Sequence, residues 1–220
     1  MDFSRTKSFY NLYGKRWIGF ILALFLFCIG FWLYIIIAVL IVCETGFPVF
    51  YRADRGGYKG KPFKIFKFRS MVKNADKIGG GTTALNDSRI TKIGNFLRKT
   101  KLDEFPQLFN IMQGTMSFIG PRPELLQYTE KYEGDEKHIL DVRPGITDYS
   151  SIEFISLDEI VGGDNADEIY EQKVLKRKNE LRMKYASEVS FKTDVKLFFQ
   201  TIEKTFKKSE RFIQNGDHKT

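Results

Sequence analysis

Residues 17–43 read WIGFILALFLFCIGFWLYIIIAVLIVC, and this run decides the class of fold. Its 27 residues carry no charge and include two that are not apolar, Gly19 and Gly30. As one straight helix the run would be about 40 Å long, whereas the hydrocarbon core of a bilayer is about 30 Å thick. The run is longer than a signal-peptide core, and no small-residue cleavage site follows it. We therefore expect a membrane-inserted helix that tilts, bends or extends into the interface.

Basic residues stand on both sides of this run. Arg5, Lys7, Lys15 and Arg16 precede it, and further lysines and arginines follow over residues 52–69. Because cytoplasmic flanks carry the excess of positive charge, this pattern favours a re-entrant helix with both ends on the cytoplasmic side. A single span stays open, since short basic tails do cross. In either topology residues 44–220 are expected in the cytoplasm.

Composition narrows the class of protein further. The chain has 220 residues, is 43% apolar and carries a net charge of +8, which excludes a wholly disordered protein and suits anionic partners. Cys28 and Cys43 would lie about 22 Å apart on one helix, too far for a disulfide. His138 and His218 have no metal-ligand spacing, so a zinc site is not expected.

The remaining pattern predicts an α+β fold. We expect a basic tail and membrane helix over residues 1–45, a small cytoplasmic α/β domain over 46–210, and a disordered tail over 211–220. Alternating apolar residues over 49–52 and 63–68, with glycines between them, predict a short β-hairpin with a basic face. Several amphipathic helices should complete the domain.

The second half of the chain is less regular. Residues 148–167 look like an acidic loop, and residues 168–186 like a charged, mostly solvated helix. The last helix, over residues 191–208, has one apolar face, made of Phe191, Val195, Phe198, Phe199, Ile202 and Phe206. Because lysines surround that face, the helix suits an anionic membrane surface, but packing against the domain explains the pattern equally well.

Two adjacent acids, Asp103 and Glu104, precede a predicted helix that has Pro106 in its first turn and ends at Gly114. Asp103 is expected at the N-cap, where free N–H groups and the helix dipole favour the ionised carboxylate. An ionised carboxylate is a nucleophile toward phosphorus and a ligand for Mg²⁺. The alternative is a simple capping aspartate with no chemistry.

Two arginines frame the acid pair. Arg98 lies five residues before Asp103, and Arg122 stands between Pro121 and Pro123. A guanidinium on such a stiff backbone matches the geometry of phosphate oxygens. The alternative is a surface arginine in a rigid turn.

The blocks GKPFKIFKFRSM, LRKTKLDEFPQLFNIMQGTMSFIGPRPE and VRPGIT resemble the bacterial sugar transferase family, the small monotopic phosphoglycosyl transferases. The resemblance covers about residues 10–150 and extends more loosely to the last helix. It implies transfer of a sugar 1-phosphate from a nucleotide diphosphate sugar, usually a UDP-sugar, to polyprenol phosphate, giving a polyprenol diphosphate sugar and UMP. This step opens the assembly of surface glycans.

The resemblance also implies roles for individual residues. Asp103 would attack the β-phosphorus and form a covalent phosphosugar intermediate, while Glu104 would act as a base or, with Asp103, hold Mg²⁺. Five basic residues of the matching blocks would bind substrate phosphates: Arg98, Arg122, Arg69, Lys67 and Arg143.

The implied partners are polyprenol phosphate, a nucleotide diphosphate sugar and membrane lipid, with a homodimer left open and no nucleic acid expected. The implied location is the cytoplasmic face of the bacterial inner membrane. Phe31-Trp32 stands where the family usually has Ser-Pro, so the choice between a re-entrant and a spanning helix stays open. The alternative function is a membrane-anchored basic scaffold that binds anionic partners without catalysis.

Overall fold

A computed structural model describes residues 1–75, 87–162 and 165–216 of the chain. The glycine- and threonine-rich segment before Leu85 lies outside the described residues. Helix α1 spans Lys15–Thr45 and follows a π-helical turn at Tyr10–Gly14. With these residues it is long and apolar enough to cross a membrane. Its 31 residues give a length of about 46 Å.

The two faces of α1 have different surroundings. Gly19, Ala23, Tyr34, Ile37 and Ile41 are buried against the rest of the chain. The opposite face is exposed along the whole helix and consists of large apolar residues, among them Trp17, Ile21, Phe25, Ile29, Trp32, Ile36 and Val39. The apolar run is therefore a helix with one face on the protein and one face with no protein cover.

Polar contacts join both ends of α1 to the same domain. Near its start, Lys15 pairs with Asp194 at 3.0 Å, and Arg16 donates to the carbonyl of Met112 at 2.7 Å. Near its end, the Glu44 carboxylate accepts from the backbone N–H groups of Lys92 and Ile93 at 2.8 and 3.0 Å. The domain thus reaches along the full length of the helix.

The middle of α1 contacts the segment that carries the acid pair. Tyr34 donates its hydroxyl proton to the carbonyl of Phe105 at 2.8 Å, and the two rings stack. The Phe105 ring lies so close to Gly30 that a Cβ there would meet its Cζ at 2.6 Å. Gly30 is therefore required for this packing, since a larger residue would displace the ring.

The predicted β-hairpin is confirmed. Strands β1 (Phe50–Arg55) and β2 (Phe63–Phe68) pair antiparallel, with Phe50 opposite Phe68 and Arg55 opposite Phe63. Phe63, Ile65 and Phe68 are buried and Lys64 is exposed, whereas Lys67 is half-buried and pairs with Glu104. The first half of the strand shows the alternation of a half-buried strand, and Phe68 departs from it.

Next come helix α2 (Lys92–Lys99), a 3₁₀ turn (Leu102–Glu104), helix α3 (Gln107–Gln113) and strand β3 (Ser117–Ile119). Thr91 caps α2 by accepting from the Gly94 N–H at 2.9 Å. Lys101 adopts a left-handed conformation (φ 60°) and so reverses the chain before the 3₁₀ turn. Gly114 closes α3 with a φ of 83°, as the sequence predicted.

The expectation of Asp103 as an N-cap was wrong. Asp103 lies inside the 3₁₀ turn, Pro106 occupies the N-cap position of α3, and neither end receives a side-chain capping bond. The left-handed Lys101 starts the turn two residues before Asp103, so the chain is already helical when it reaches the acids.

Strand β3 pairs in parallel with β4 (Gly145–Thr147), and the chain between them forms helix α4 (Leu126–Thr129) and a 3₁₀ stretch (Gly134–Asp141). The described residues therefore hold two separate two-stranded sheets within a mainly helical domain. This agrees with the expected α+β class, the short hairpin and the several helices.

The predicted acidic loop over residues 148–167 was wrong in its secondary structure. Short helices α5 (Tyr149–Glu153), α6 (Leu157–Val161) and α7 (Ala166–Ile169) occupy the described part of it. The Asp148 side chain caps α5 by accepting from the Ser151 N–H at 2.8 Å. Val161 and Ala166 are buried beside Tyr170, so tertiary packing stabilises helices that are too short to form alone.

A π-helical turn (Tyr170–Leu175) leads into helix α8 (Lys176–Glu188). A helix was predicted here and is found, but the prediction that it is mostly solvated was wrong, because Arg182 and Tyr185 are fully enclosed. Helix α9 runs over Phe191–Gly216, six residues into the segment expected to be a disordered tail. Residues 217–220 lie outside the described residues, so that expectation and the domain limits stay predictions.

Candidate active site

The position of the acid pair is fixed by helix α3 and strand β2. Asn110 of α3 accepts from the Phe66 N–H at 2.9 Å and donates to the Lys64 carbonyl at 2.8 Å. These two bonds hold the helix against the strand that carries Lys67. The Asn110 side chain therefore helps to place the 3₁₀ turn with Asp103 and Glu104 beside Lys67.

Glu104 is held by two cations. Arg122 binds both of its carboxylate oxygens, with Nη1 at 3.1 Å from Oε2 and Nη2 on Oε1, and Lys67 Nζ lies 2.9 Å from Oε1. Burial by itself raises the pKa of Glu104, but Arg122 and Lys67 outweigh burial and hold that pKa well below its usual range. Glu104 is thus a permanent anion at neutral pH.

Arg122 is fixed at three points. Pro121 and Pro123 restrict its backbone, Glu104 binds its guanidinium, and its Nη1 donates to the Ile146 carbonyl at 2.8 Å. The charge of Glu104 raises the pKa of Arg122 further. About a third of the side chain stays exposed (31%), so part of this cation faces outward.

Asp103 has a different environment. It is 6% exposed, and among the described residues it accepts no hydrogen bond. Burial raises the pKa of Asp103, with Glu104 adding to the rise, while Lys67 and Arg98 oppose it. The sequence-based expectation was the reverse, a carboxylate stabilised by a helix N-terminus. A carboxylate without hydrogen-bond donors keeps its lone pairs for a reacting atom or a metal.

The predicted phosphate-binding residues lie in two groups. Lys67 and Arg122 contact the acid pair, and Arg98, in the last turn of α2, is close enough to lower the pKa of Asp103. Arg69 instead binds Thr45 and Gly46 at the end of α1, and its Nε and Nη1 have no partner among the described residues.

Arg143 belongs with Arg69 in the group that the structure places elsewhere. It donates to the carbonyls of Gly114 and Asn11, both at 3.3 Å, and lies over the Tyr58 ring at 4.9 Å. These contacts tie the N-terminal segment to the domain. Binding of phosphate by Arg143 stays a prediction from the resemblance.

The donor chemistry of the acid pair fits one side of a Mg²⁺ site. Mg²⁺ uses one or two protein carboxylates and takes its other ligands from water and substrate phosphates. Asp103 accepts no hydrogen bond from the described residues, whereas Glu104 Oε1 already accepts from two cations and Oε2 from one. Within the described ranges no cluster of three metal-ligating side chains occurs. Asp103 would be the main protein ligand.

Sequence reasoning missed a second buried cluster behind the Pro121–Pro123 turn. Glu124 Oε2 accepts from Arg182 Nη2 at 2.7 Å and from the Tyr170 hydroxyl, and Arg182 Nη1 donates to Asn179 Oδ1 at 3.0 Å. Arg182 is 58 residues from its partner, so no local pattern could reveal this pair. The cluster fixes the chain just after Arg122.

Gln107 was also missed. Its side chain is fully buried, and neither atom of its amide finds a partner in the described part of the chain. It follows Asp103 by four residues, which is one helical turn. A glutamine at this spacing gives no signal by itself, because glutamine is common in exposed helices.

Comparisons with known proteins identify the family of the chain. A family model described as "Bacterial sugar transferase" matches residues 10–208. The chain is 32% identical over 213 residues to "Uncharacterized sugar transferase EpsL" of Bacillus subtilis (strain 168), covering 92% of this chain and 97% of the relative.

Two longer relatives carry more specific names. The chain is 38% identical over 174 residues to "UDP-glucose:undecaprenyl-phosphate glucose-1-phosphate transferase" of Escherichia coli (strain K12), covering 77% of this chain and 35% of the relative. It is 38% identical over 120 residues to "UDP-N-acetylgalactosamine-undecaprenyl-phosphate N-acetylgalactosaminephosphotransferase" of Aeromonas hydrophila, covering 52% and 28%. The chain thus spans about a third of the length of these two relatives. The matched family region contains the acid pair, Arg122 and α1, and the chain belongs to the bacterial sugar transferase family.

Proposed function

We propose that this chain is a phosphoglycosyl transferase that moves a sugar 1-phosphate from a UDP-sugar to polyprenol phosphate. The observation that carries the proposal is the contrast inside the acid pair. Asp103 is a buried carboxylate that accepts no hydrogen bond within the described part of the chain. It lies beside Glu104, Arg122 and Lys67, which hold one another. The names of the two longer relatives, which pair a UDP-sugar with undecaprenyl phosphate, support the same donor and acceptor classes.

The first step uses Asp103 as the nucleophile. A carboxylate oxygen of Asp103 attacks the β-phosphorus of the donor and forms a P–O bond. The bond between that phosphorus and the bridging oxygen breaks, and the bridging oxygen leaves on UMP with the electron pair. Burial raises the pKa of Asp103 because it destabilises the charged form, so the same desolvation favours attack.

The second step returns Asp103 to its starting state. A phosphate oxygen of polyprenol phosphate attacks the same phosphorus, and the acyl-phosphate P–O bond breaks. The electron pair returns to the Asp103 carboxylate, and the product is polyprenol diphosphate sugar. A phosphate monoester carries between one and two negative charges at neutral pH, so its attacking oxygen needs little help from a base.

Glu104 is better suited to positioning than to proton transfer. Its pKa lies well below its usual range because of Arg122 and Lys67, so it is a weak base at neutral pH. It instead holds the two cations next to Asp103. Arg122 and Lys67 are then placed to stabilise negative charge on phosphate oxygens as it redistributes, and Arg98 adds charge from α2.

Mg²⁺ is part of the proposal. When bound, it would neutralise the diphosphate of the donor, with Asp103 as its main protein ligand. The chain's own contribution is the carboxylate and its surrounding cations. Omission of Mg²⁺ is expected to remove turnover, and a titration of Mg²⁺ in the presence of donor measures this dependence.

We also propose that α1 enters the bilayer from one side only. The N-terminal segment packs on the domain, since Asn11 is buried and its amide donates to the Asp141 carbonyl at 3.2 Å. The other end of α1 contacts the same domain through Glu44. A span to the far side would break one of these sets of contacts. The domain would then lie at the cytoplasmic face of the inner membrane.

Cysteine labelling tests this topology. In a chain with Cys28→Ala and Cys43→Ala, exposed Lys7→Cys and Lys61→Cys lie before and after α1. We expect an impermeant maleimide to label both in inside-out vesicles and neither in intact spheroplasts. Labelling of Lys7→Cys from the outer side would establish a single span instead.

Release of UMP tests the activity. Purified chain is mixed with Mg²⁺, polyprenol phosphate and a panel of UDP-sugars, with Asp103→Asn as the matched variant. We expect UMP release that requires the lipid acceptor and is lost in the variant, with the folded state intact because the Asp103 carboxylate accepts no hydrogen bond from the described residues. A fully active variant would exclude Asp103 as the nucleophile. Silence of folded protein across the panel would favour the scaffold function.

A further inference from the structure

Helix α9 has a face that contacts the domain and is not its aromatic face. Asp194 and Leu197 are buried in the domain, and Thr201 meets Thr147 through their hydroxyls at 2.9 Å. These three residues recur at spacings of three and four and so form one stripe on the helix. The domain is therefore packed against this stripe.

The aromatic stripe of α9 points elsewhere. It consists of Phe191, Val195, Phe198, Phe199, Ile202 and Phe206, and all six are exposed. At about 100° per residue, its centre lies roughly a third of a turn from the stripe that packs on the domain. From Ile202 to Lys207 every side chain is exposed. Core packing, one of the two explanations that the sequence left open, does not account for this face.

The stripe has a cationic border. Lys192 and Lys196 follow it on the side away from the domain, and both are exposed. Among the described residues neither forms an ion pair, whereas Lys207 pairs with Glu203. An exposed aromatic stripe beside unpaired lysines matches a surface that is apolar inside and negatively charged outside.

The start of α9 is joined to the start of α1. The Phe191 and Tyr10 rings meet edge to face at 6.0 Å, and the Tyr10 hydroxyl donates to Asp194 at 2.7 Å. Asp194 also pairs with Lys15 in the first turn of α1. The exposed apolar face of α1 begins at Trp17, so the two exposed apolar faces start at the same place.

We propose that α9 lies in the surface of an anionic lipid bilayer, with its aromatic stripe in the boundary between headgroups and acyl chains and with Lys192 and Lys196 at the lipid phosphates. The proposal rests on insertion of α1 into the bilayer, because α1 sets the level of Phe191. A second copy of the chain fits the face less well, since self-pairing would bring the lysine borders of two helices together.

Depth measurement of spin labels tests the proposal. The full chain, with Cys28→Ala and Cys43→Ala, is placed in nanodiscs of phosphatidylglycerol and phosphatidylcholine at one chain per disc. A nitroxide is attached at Ile202→Cys in the stripe or at Lys204→Cys on the opposite face. We expect the label at 202 to be several-fold more accessible to oxygen than to a water-soluble nickel chelate, and the label at 204 to show the reverse.

Two controls identify the partner. In discs that hold two chains, dipolar broadening between labels at 202 would assign the face to a second copy and overturn the proposal, as would equal nickel access at 202 and 204. Lys192→Glu with Lys196→Glu should make the label at 202 shallower in anionic discs and less affected in neutral discs. An unchanged depth in anionic discs would overturn the electrostatic part.

The result is independent of catalysis. The labels report depth whether or not UMP is released, and Asp103→Asn in the same background should give the same accessibility at 202. A depth contrast without turnover would therefore contradict the proposed function alone. Turnover without a depth contrast would contradict the placement of α9 alone.

Discussion

Two arginine–glutamate pairs meet at the Pro121–Pro123 turn, and they differ in how enclosed they are. Arg122, inside the turn, pairs with Glu104 and keeps 31% of its side chain exposed. Glu124, directly after the turn, pairs with Arg182, which is 1% exposed. A partly open pair can exchange one partner for a phosphate, whereas an enclosed pair cannot. We expect exposure, rather than residue type, to separate an arginine that binds phosphate from one that supports the fold.

Removal of the enclosed arginine should have the largest effect on stability. Arg182→Met leaves Glu124 buried with its charge uncompensated by an arginine, and such a change costs about 3–5 kcal/mol in other buried pairs. We expect a loss of this size in the free energy of unfolding, measured by denaturant titration in detergent. The rate of UMP release per folded molecule should stay within a few fold. A stable Arg182→Met chain would show that the pair does not support the turn.

Removal of the open arginine should act on catalysis instead. Arg122→Met is expected to lower UMP release by about 10²–10³-fold, as loss of one positioned donor does at other sites where charge develops. The free energy of unfolding should fall by less than in Arg182→Met, because Lys67 still compensates Glu104 and water reaches this pair. The two variants are measured side by side. Equal effects on rate and on stability would show that exposure does not distinguish the two pairs.

A smaller effect should appear in the pH dependence of stability. Arg122 and Lys67 hold the pKa of Glu104 below its usual range, so the ionised form stabilises the folded state above the unfolded pKa of about 4.3. That contribution is lost as the pH falls through the lower, folded pKa. In Glu104→Gln, the unfolding free energy should therefore fall less steeply below about pH 4 than in the unchanged chain. An identical slope would show that ionisation of Glu104 does not contribute to the pH dependence of stability.

The pH dependence of the rate of UMP release should follow the protonation of Asp103. Burial raises the pKa of this carboxylate, and the protonated form cannot attack phosphorus. The rate of UMP release should therefore decline on the acid side at a pH above the usual aspartate pKa of about 3.9. A rate–pH profile measures this directly. A decline that begins only below that value would contradict the raised pKa.

The residues of the candidate site were easier to predict from the sequence than their local geometry. The resemblance brought Asp103, Glu104, Arg122 and Lys67 together, and the structure places them in contact or side by side. The N-cap position of Asp103 was wrong because Lys101 takes a left-handed conformation, and lysine gives no sign of doing so. The partners of Arg143, Asn11 and Gly114, are distant in the chain, so no local pattern could predict these contacts.

The fold was predictable where the pattern was periodic and near in sequence. The apolar run and the β-hairpin follow from their own residues. The short helices after Asp148 do not, since they depend on burial of Val161 and Ala166 against Tyr170. The buried face of α8 was hidden for the same reason: Arg182 looks like a surface residue until Glu124, 58 residues earlier, is placed beside it.

The contact between α1 and Phe105 has a consequence for how substrate is found. Phe105 directly follows Glu104, its ring fills the space beside Gly30, and its carbonyl accepts from Tyr34. In the proposed membrane insertion of α1, these contacts would fix the position of the acid pair relative to the bilayer. In the proposed reaction, the lipid acceptor would then reach the site by lateral diffusion, with its tail remaining in the membrane. The water-soluble donor would reach the site from the aqueous phase.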